Sequence, residues 1–239
     1  MQIVEFRYYG RIGHFLRAEA TANALTYPIP PRPTLMGLVG CVMGFQKDES
    51  QVLLSDAEFA VQGPAPDVFW HKANMRKELP NGLPFSIRKS DKGSSAAEKN
   101  TRIPQEMLWK PSYSIYASLP EKFHGQFVDR IRERRWHYNP CLGLSELFAQ
   151  IDFVLDGVGT KLSEGEYAVE SAVNMSQGDL VSSIARGNQL AVHKIRMPRS
   201  VTRDRVFSHE NYLIERGGRS LPVRSNQVWS LAAKHIVFM

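Results

Sequence analysis

The feature that most restricts this chain is the run Tyr27-Pro-Ile-Pro-Pro-Arg-Pro33, which leads at once into Thr34-Leu-Met-Gly-Leu-Val-Gly-Cys-Val-Met-Gly44. Proline fixes φ and removes an N–H donor, so Pro28 to Pro33 must be extended. A helix is then predicted to begin only at about Thr34, a good N-cap. The chain is delivered stiffly to that start, where free N–H groups, the positive end of the helix dipole and Arg32 together would make a resting place for a phosphate.

The predicted helix has two unlike faces. Leu35, Leu38, Val39, Val42 and Met43 form an apolar side, while Gly37, Gly40, Cys41 and Gly44 recur on another. An interior Gly costs about 1 kcal/mol relative to Ala, so the glycines imply that something approaches the helix backbone closely. Either a ligand or a tightly packed neighbouring strand would satisfy that. Gly40 and Gly44 match the small-residue spacing of membrane helix pairs, but the apolar run is far shorter than a span needs. Ahead of the prolines, Gly10 and Gly13 end an opening strand and frame a polar loop with Arg11, His14 and Arg17.

The chain of 239 residues can bury one large core or two small ones. Met1 runs directly into the alternating Gln2-Ile-Val-Glu-Phe-Arg7, which is read as a strand, with neither an export signal nor a transmembrane segment, so the expected location is the cytoplasm. The two cysteines, Cys41 and Cys141, form no disulfide framework or zinc spacing, and the seven histidines are scattered. No metal or cofactor is expected. A formal net charge of +6 points weakly to a polyanionic partner.

Further along, 57–63 reads as a second strand. From Trp70 to Pro111 there are nine Lys or Arg against four acidic residues, with an Asn81-Gly82 turn and a flexible tip at Lys89-Ser-Asp-Lys-Gly-Ser-Ser95. This reads as a long basic insertion. Trp109 to Ser118 has strand alternation, Glu121 opens a helix with Phe123, Phe127, Val128 and Ile131 on one stripe, and 147–155 is a further strand. The fold class is α+β: a ferredoxin-like, RNA-recognition-motif-like domain over 1–156, ordered β-α-β-β-α-β, with the insertion at about 70–111. A small antiparallel β-region over 157–239 follows, with Gly217-Gly218 read as a hairpin turn. The stretch Arg186 to Arg224 carries nine basic against three acidic residues and extends the electrostatic footprint. The central strands lack the stacked aromatics of an RNA-reading sheet face, so loops, the glycine helix and the insertion are the candidates for RNA contact. No serine-nucleophile elbow and no Walker loop is present.

The opening pattern Gly10-Arg-Ile-Gly-His-Phe-Leu-Arg17, Tyr27-Pro-Ile-Pro30 and Thr34-x-x-Gly37-Leu-x-Gly40, with Asn139-Pro-Cys-Leu-Gly-Leu-Ser-Glu146 about a hundred residues on, resembles the fifth CRISPR-associated protein family. That resemblance implies an RNA-binding subunit of a type I surveillance complex, of the I-B branch. Its partners would be the 5′ repeat-derived handle of the crRNA, the backbone subunit, the large subunit and, through the complex, target DNA, with no membrane. It also implies that the insertion is a thumb-like hairpin reaching along the guide RNA.

On this reading Arg11, His14, Arg17, Arg32, Thr34 and Gly37 would hold the RNA backbone, and Arg102, Trp109 and Lys110 would bracket the base of the thumb. Tyr27 would either stack on RNA or pack beside Pro28. The I-C branch of the family cuts precursor RNA with a Tyr near the first helix and a Lys-His pair further on. Tyr27 is the alternative catalytic residue, but the region for the pair reads Met107-Leu-Trp-Lys-Pro111 and Lys234-His235 lies at the other end. A non-catalytic role is therefore expected.

Overall fold

The computed structural model describes residues 1–21, 23–76 and 100–239. The expected Asn81-Gly82 turn and the tip at Lys89 lie outside the described residues. The chain begins β1 (Gln2–Gly10), β2 (Ile12–Gly13), α1 (Arg32–Met43), α2 (Glu49–Leu53) and β3 (Glu58–Gln62). It continues β4 (Val68–Arg76), β5 (Asn100–Trp109), β6 (Ser112–Ser118), α3 (Glu121–Arg132) and β7 (Ala149–Val158). The main sheet has the order β3-β6-β1-β7 with every neighbouring pair antiparallel. Its elements follow one another as β1, α1, β3, β6, α3 and β7, the β-α-β-β-α-β order read from the sequence.

Strand alternation sends Val4, Phe6 and Tyr8 to one face of this sheet, where they are buried against α1 and α3. Phe6 meets Phe127 edge-on at 5.7 Å between ring centroids. The opposite face, carrying Ile3, Ala60 and Tyr116, is covered by Leu231, Ile236 and Phe238 from the end of the chain. There Glu5, almost wholly buried, is held by Lys234 at 2.7 Å. The part of this face over Ile3, Glu5 and Tyr116 is thus covered by the protein itself, while Arg7 further along β1 is exposed and Tyr9 half-buried.

The C-terminal half is strand-rich: β8 (Thr160–Lys161), β9 (Gly165–Val169), β10 (Val173–Asn174), β11 (Asp179–Leu180), a short α4 (Ser182–Gly187), β12 (Val192–Val201), β13 (Phe207–Glu215), β14 (Leu221–Ser225), β15 (Val228–Leu231) and β16 (Lys234–Val237). These build three small antiparallel sheets, β10-β13-β12, β11-β14-β9 and β16-β15-β8. Val169, Leu221, Val223 and Val237 form a cluster of their own, yet Met197, Tyr212, Ile214 and Met239 join the main core with Phe6 and Leu35.

Two expectations change. Gly217-Gly218 does not close a hairpin, because β13 and β14 belong to different sheets. The Glu215 carboxylate accepts from the Gly217 and Arg219 amides and turns the chain away from β13. Trp109 to Ser118 is not one strand either: Lys110 has φ 46°, and that left-handed step passes the chain from the sheet of β5 to the sheet of β6.

Candidate nucleic-acid interface

The helix carrying the glycines starts two residues earlier than the sequence suggests, at Arg32, with extended Pro31 as N-cap. Pro33 has no N–H, and the Thr34 and Leu35 amides both donate to the Pro31 carbonyl, at 2.9 and 3.2 Å. Three of the first four positions therefore offer no free donor. Arg32 is turned inward as well: it is 7 % exposed, and its Nη2 donates to the carbonyls of Ser55 and Ala57, both at 2.7 Å. The expected phosphate seat at Arg32 and Thr34 is thus corrected to a structural clasp between the helix start and the approach to β3. Burial lowers the Arg32 pKa, with Glu58 opposing the shift. Arg32→Lys, which cannot fork to two carbonyls, should cost about 2 kcal/mol in urea unfolding. RNA affinity of the folded fraction should not move; a selective loss of affinity would return Arg32 to the binding surface.

The three glycines of α1 have three different reasons. A Cβ on Gly40 would sit 2.0 Å from Ser50 Oγ, so Gly40 is required by packing against α2. Gly44 ends the helix at φ 84° against the His137 ring. Gly37 has nothing within 4 Å of its missing Cβ. It opens onto a groove of about 390 Å³ lined by His14, Leu16, Thr34, Cys41, Cys141 and Leu144 among others. That volume lies within the range of small-ligand sites.

The groove is where the two distant sequence boxes meet. The His14 amide donates to the Leu142 carbonyl at 2.9 Å, and Tyr8 Oη donates to the Cys141 carbonyl at 2.5 Å. Gly143 fits against the His14 carbonyl so closely that a Cβ would lie 1.7 Å from its oxygen. The other wall is fixed too. His14 Nδ1 donates to the Glu106 carbonyl at 2.7 Å, Phe15 N donates to Thr26 Oγ1 at 2.8 Å, and Tyr27 N donates to the Phe15 carbonyl at 2.8 Å. The site is preorganised rather than loose.

His14 is buried, so its ring is a brace for the groove wall and not a free phosphate ligand. Tyr27 is 1 % exposed, and its hydroxyl donates to Glu19 Oε2 at 2.9 Å. Burial first, then that carboxylate, raise its pKa well above the ordinary tyrosine value. A buried ring does not stack on RNA, and the packing alternative holds for Tyr27. Burial pushes the Cys41 thiol up to about 11, with Cys141 adding to the effect, so it lines the groove as a neutral thiol. With Leu16, Leu38 and Leu144 in the lining, the groove suits a base or sugar better than a phosphate.

Cationic groups come from next door. β2 pairs Ile12 with Trp109, and the Lys110 amide donates to the Arg11 carbonyl at 2.9 Å, so Arg11, Trp109 and Lys110 cluster at one corner. Trp109 is 43 % exposed, with Lys110 Nζ 5.5 Å from its ring centroid. Arg17 is not part of this cluster: its Nε donates to the Thr26 carbonyl at 3.0 Å, and it lines a separate groove with His193 and Arg216. Arg102 stands far along the antiparallel pair of β4 and β5, opposite Asn74. It lies seven residues from Trp109, roughly 23 Å along a strand and on the other face, so it does not join Trp109 and Lys110 at the root of this strand pair. Sequence reading missed Leu16, Cys141 and Leu144 as lining and placed Cys41 only on the glycine face; the boxes contain the first three, but only the His14–Leu142 and Gly143 contacts reveal that all four share a groove.

The fold and the groove define a mixed α/β protein of mainly antiparallel sheets, with a preorganised cleft between two sequence boxes. The chain belongs to the CRISPR-associated protein (Cas_Cas5) family, whose sequence model matches residues 3–209. Its fold is similar to a chain of a CRISPR RNA-guided surveillance complex, with a TM-score of 0.58 and 13% identity, covering 92% of this chain and 91% of that one. A CRISPR protein from Archaeoglobus fulgidus gives a TM-score of 0.55 at 11% identity, covering 99% and 98%. A chain of a type III-B Cmr-beta complex bound to cognate target RNA and AMPPnP gives 0.50 at 11% identity, covering 92% and 86%. No curated protein matches the sequence.

Proposed function

We propose that this chain is a non-catalytic RNA-holding subunit of a type I CRISPR surveillance complex, seating the 5′ repeat-derived handle of the guide RNA beside the backbone and large subunits. In this reading β1, α1, β3, β6, α3 and β7 form a ferredoxin-like domain, and β4 with β5 is the root of its thumb. The groove takes a splayed nucleotide, and Arg11 and Lys110 meet the flanking phosphates. The family membership and the surveillance-complex chain that shares the fold support the assignment.

The observation that carries it is Gly37. This glycine weakens the helix by about 1 kcal/mol relative to Ala and serves no internal packing, yet it keeps the groove floor clear. The endoribonuclease alternative asks Tyr27 to draw a proton from a 2′-OH, and its buried, carboxylate-bound hydroxyl is poorly suited to that.

The test uses Gly37→Ala and Gly37→Phe. Gly37→Ala should raise the melting temperature by about 3 °C and keep binding of a labelled handle RNA. Gly37→Phe should fold normally but lose about 2 kcal/mol of binding, roughly 30-fold, because its ring occupies the place of a base. Repeat RNA incubated with the protein in EDTA should stay intact. Wild-type affinity in Gly37→Phe would defeat the binding site, and cleavage abolished by Tyr27→Phe would defeat the non-catalytic assignment.

A further inference from the structure

Thr34 lines two grooves. Besides the Gly37 groove it borders a second one of about 320 Å³, between the α1–α2 corner and the turn joining β12 to β13. The far wall of this second groove carries Arg203, Arg205 and Phe207, and the near wall Thr34, Gln51 and Asp48. The turn is stapled in place: the Thr202 amide donates to the Val206 carbonyl at 3.0 Å, the Arg205 amide donates to the Thr202 carbonyl at 3.1 Å, and Val206 N donates to Thr202 Oγ1 at 3.2 Å. Phe207 presents a ring that is 39 % exposed. Arg203 is exposed and makes no ion pair among the described residues.

Across the mouth, Arg205 Nη2 reaches Asp48 Oδ1 at 3.0 Å. Both residues hold left-handed backbones, with φ 62° at Arg205 and 66° at Asp48, a conformation uncommon for arginine and more readily adopted by aspartate. Such an exposed pair is weak and easily exchanged for another anion. An unpaired arginine, an exchangeable one and an exposed aromatic ring facing hydroxyl and amide groups are the parts that hold a single-stranded polynucleotide, cation to phosphate and ring to base.

From these features we infer that the β12–β13 turn and the α1–α2 corner form a second single-strand RNA contact. It receives the nucleotide that follows the one in the Gly37 groove, and the strand crosses α1 at Thr34. This rests on the RNA-holding role proposed above. Phe207 stacks on the base, Arg203 meets a phosphate, and Arg205 trades Asp48 for a second phosphate.

The test uses the full chain and a fluorescent handle RNA with 4-thiouridine placed at successive positions. Irradiation should join one position to the segment 203–207. Phe207→Ala should weaken binding about 10-fold and Phe207→Trp should not. Arg203→Ala should lower the slope of log affinity against log salt by about 0.7, and Asp48→Asn should tighten binding. If Gly37→Phe loses RNA while Phe207→Ala and Arg203→Ala do not and no cross-link forms, the second contact is refuted and the RNA-holding role stands. If Phe207→Ala loses RNA and Gly37→Phe does not, the first groove is refuted and the second contact stands. If none of these variants changes binding, both are refuted. Equal binding of single-stranded DNA of the same sequence would overturn the assignment to RNA.

Discussion

Gly143→Ala is expected to cost about 4 kcal/mol of stability, adding severe overpacking to a left-handed backbone penalty of one to two. Its φ is 97°, and an added Cβ would stand 1.7 Å from the His14 carbonyl oxygen and 2.7 Å from its carbon. Backbone cannot step aside as a side-chain tip can. His14 itself is anchored twice, its amide on Leu142 and its ring on Glu106, so the strain passes into both walls of the groove. Thermal unfolding should drop by roughly 8–16 °C for a chain of this size, and RNA binding should fall in parallel because the clasp shapes the cleft. Gly125→Ala is the control: it lies within α3 with nothing near its missing Cβ, and it should gain about 1 kcal/mol. A Gly143→Ala protein that melts like wild type would show that the two boxes are not locked by this contact.

That contact also marks how far the sequence could be read. Hydrophobic periodicity places elements well, because burial of one face is what makes a helix or strand persist; β1, α1, β3, α3 and β7 all fall close to where spacing puts them. The family boxes were visible as patterns. Direction was not, since a residue type does not say which way its side chain points. Arg32 reads as a phosphate ligand and is spent on Ser55 and Ala57; Tyr27 reads as a stacking ring and is buried on Glu19. Three glycines on one helix look alike in the sequence, and only their surroundings in the fold separate the packing glycine, the cap and the open one. The β12–β13 turn escaped for a related reason: its exposed Phe207 and arginines lie in a stretch whose pairing partner is set by long-range contacts. Gly217-Gly218 drew attention to the wrong junction.

At that junction Glu215 should make the fold acid-labile in a way one substitution removes. The residue is 4 % exposed and accepts from the amides of Gly217, Arg219 and Ala191, at 2.7, 3.0 and 3.1 Å, and from the Arg219 guanidinium at 2.9 Å. Burial alone would raise its pKa, but these donors reverse that and bring it from 4.5 down to about 2. The folded value lies below the unfolded one, so the carboxylate contributes its full stabilisation above pH 4.5 and loses it as pH falls toward 2. Holding the carboxyl that far below its ordinary value is worth roughly 3 kcal/mol. Glu215→Gln should therefore unfold at lower urea by roughly 3 kcal/mol at pH 7, because an amide cannot satisfy the same donors and leaves Arg219 without its anion. Near pH 2.5 the gap between variant and wild type should close to less than half, since protonation has by then weakened the wild-type cage, while every other carboxylate is shared. A gap that stays constant from pH 7 to 2.5 would mean that Glu215 acts through shape alone, and that the turn does not depend on its charge.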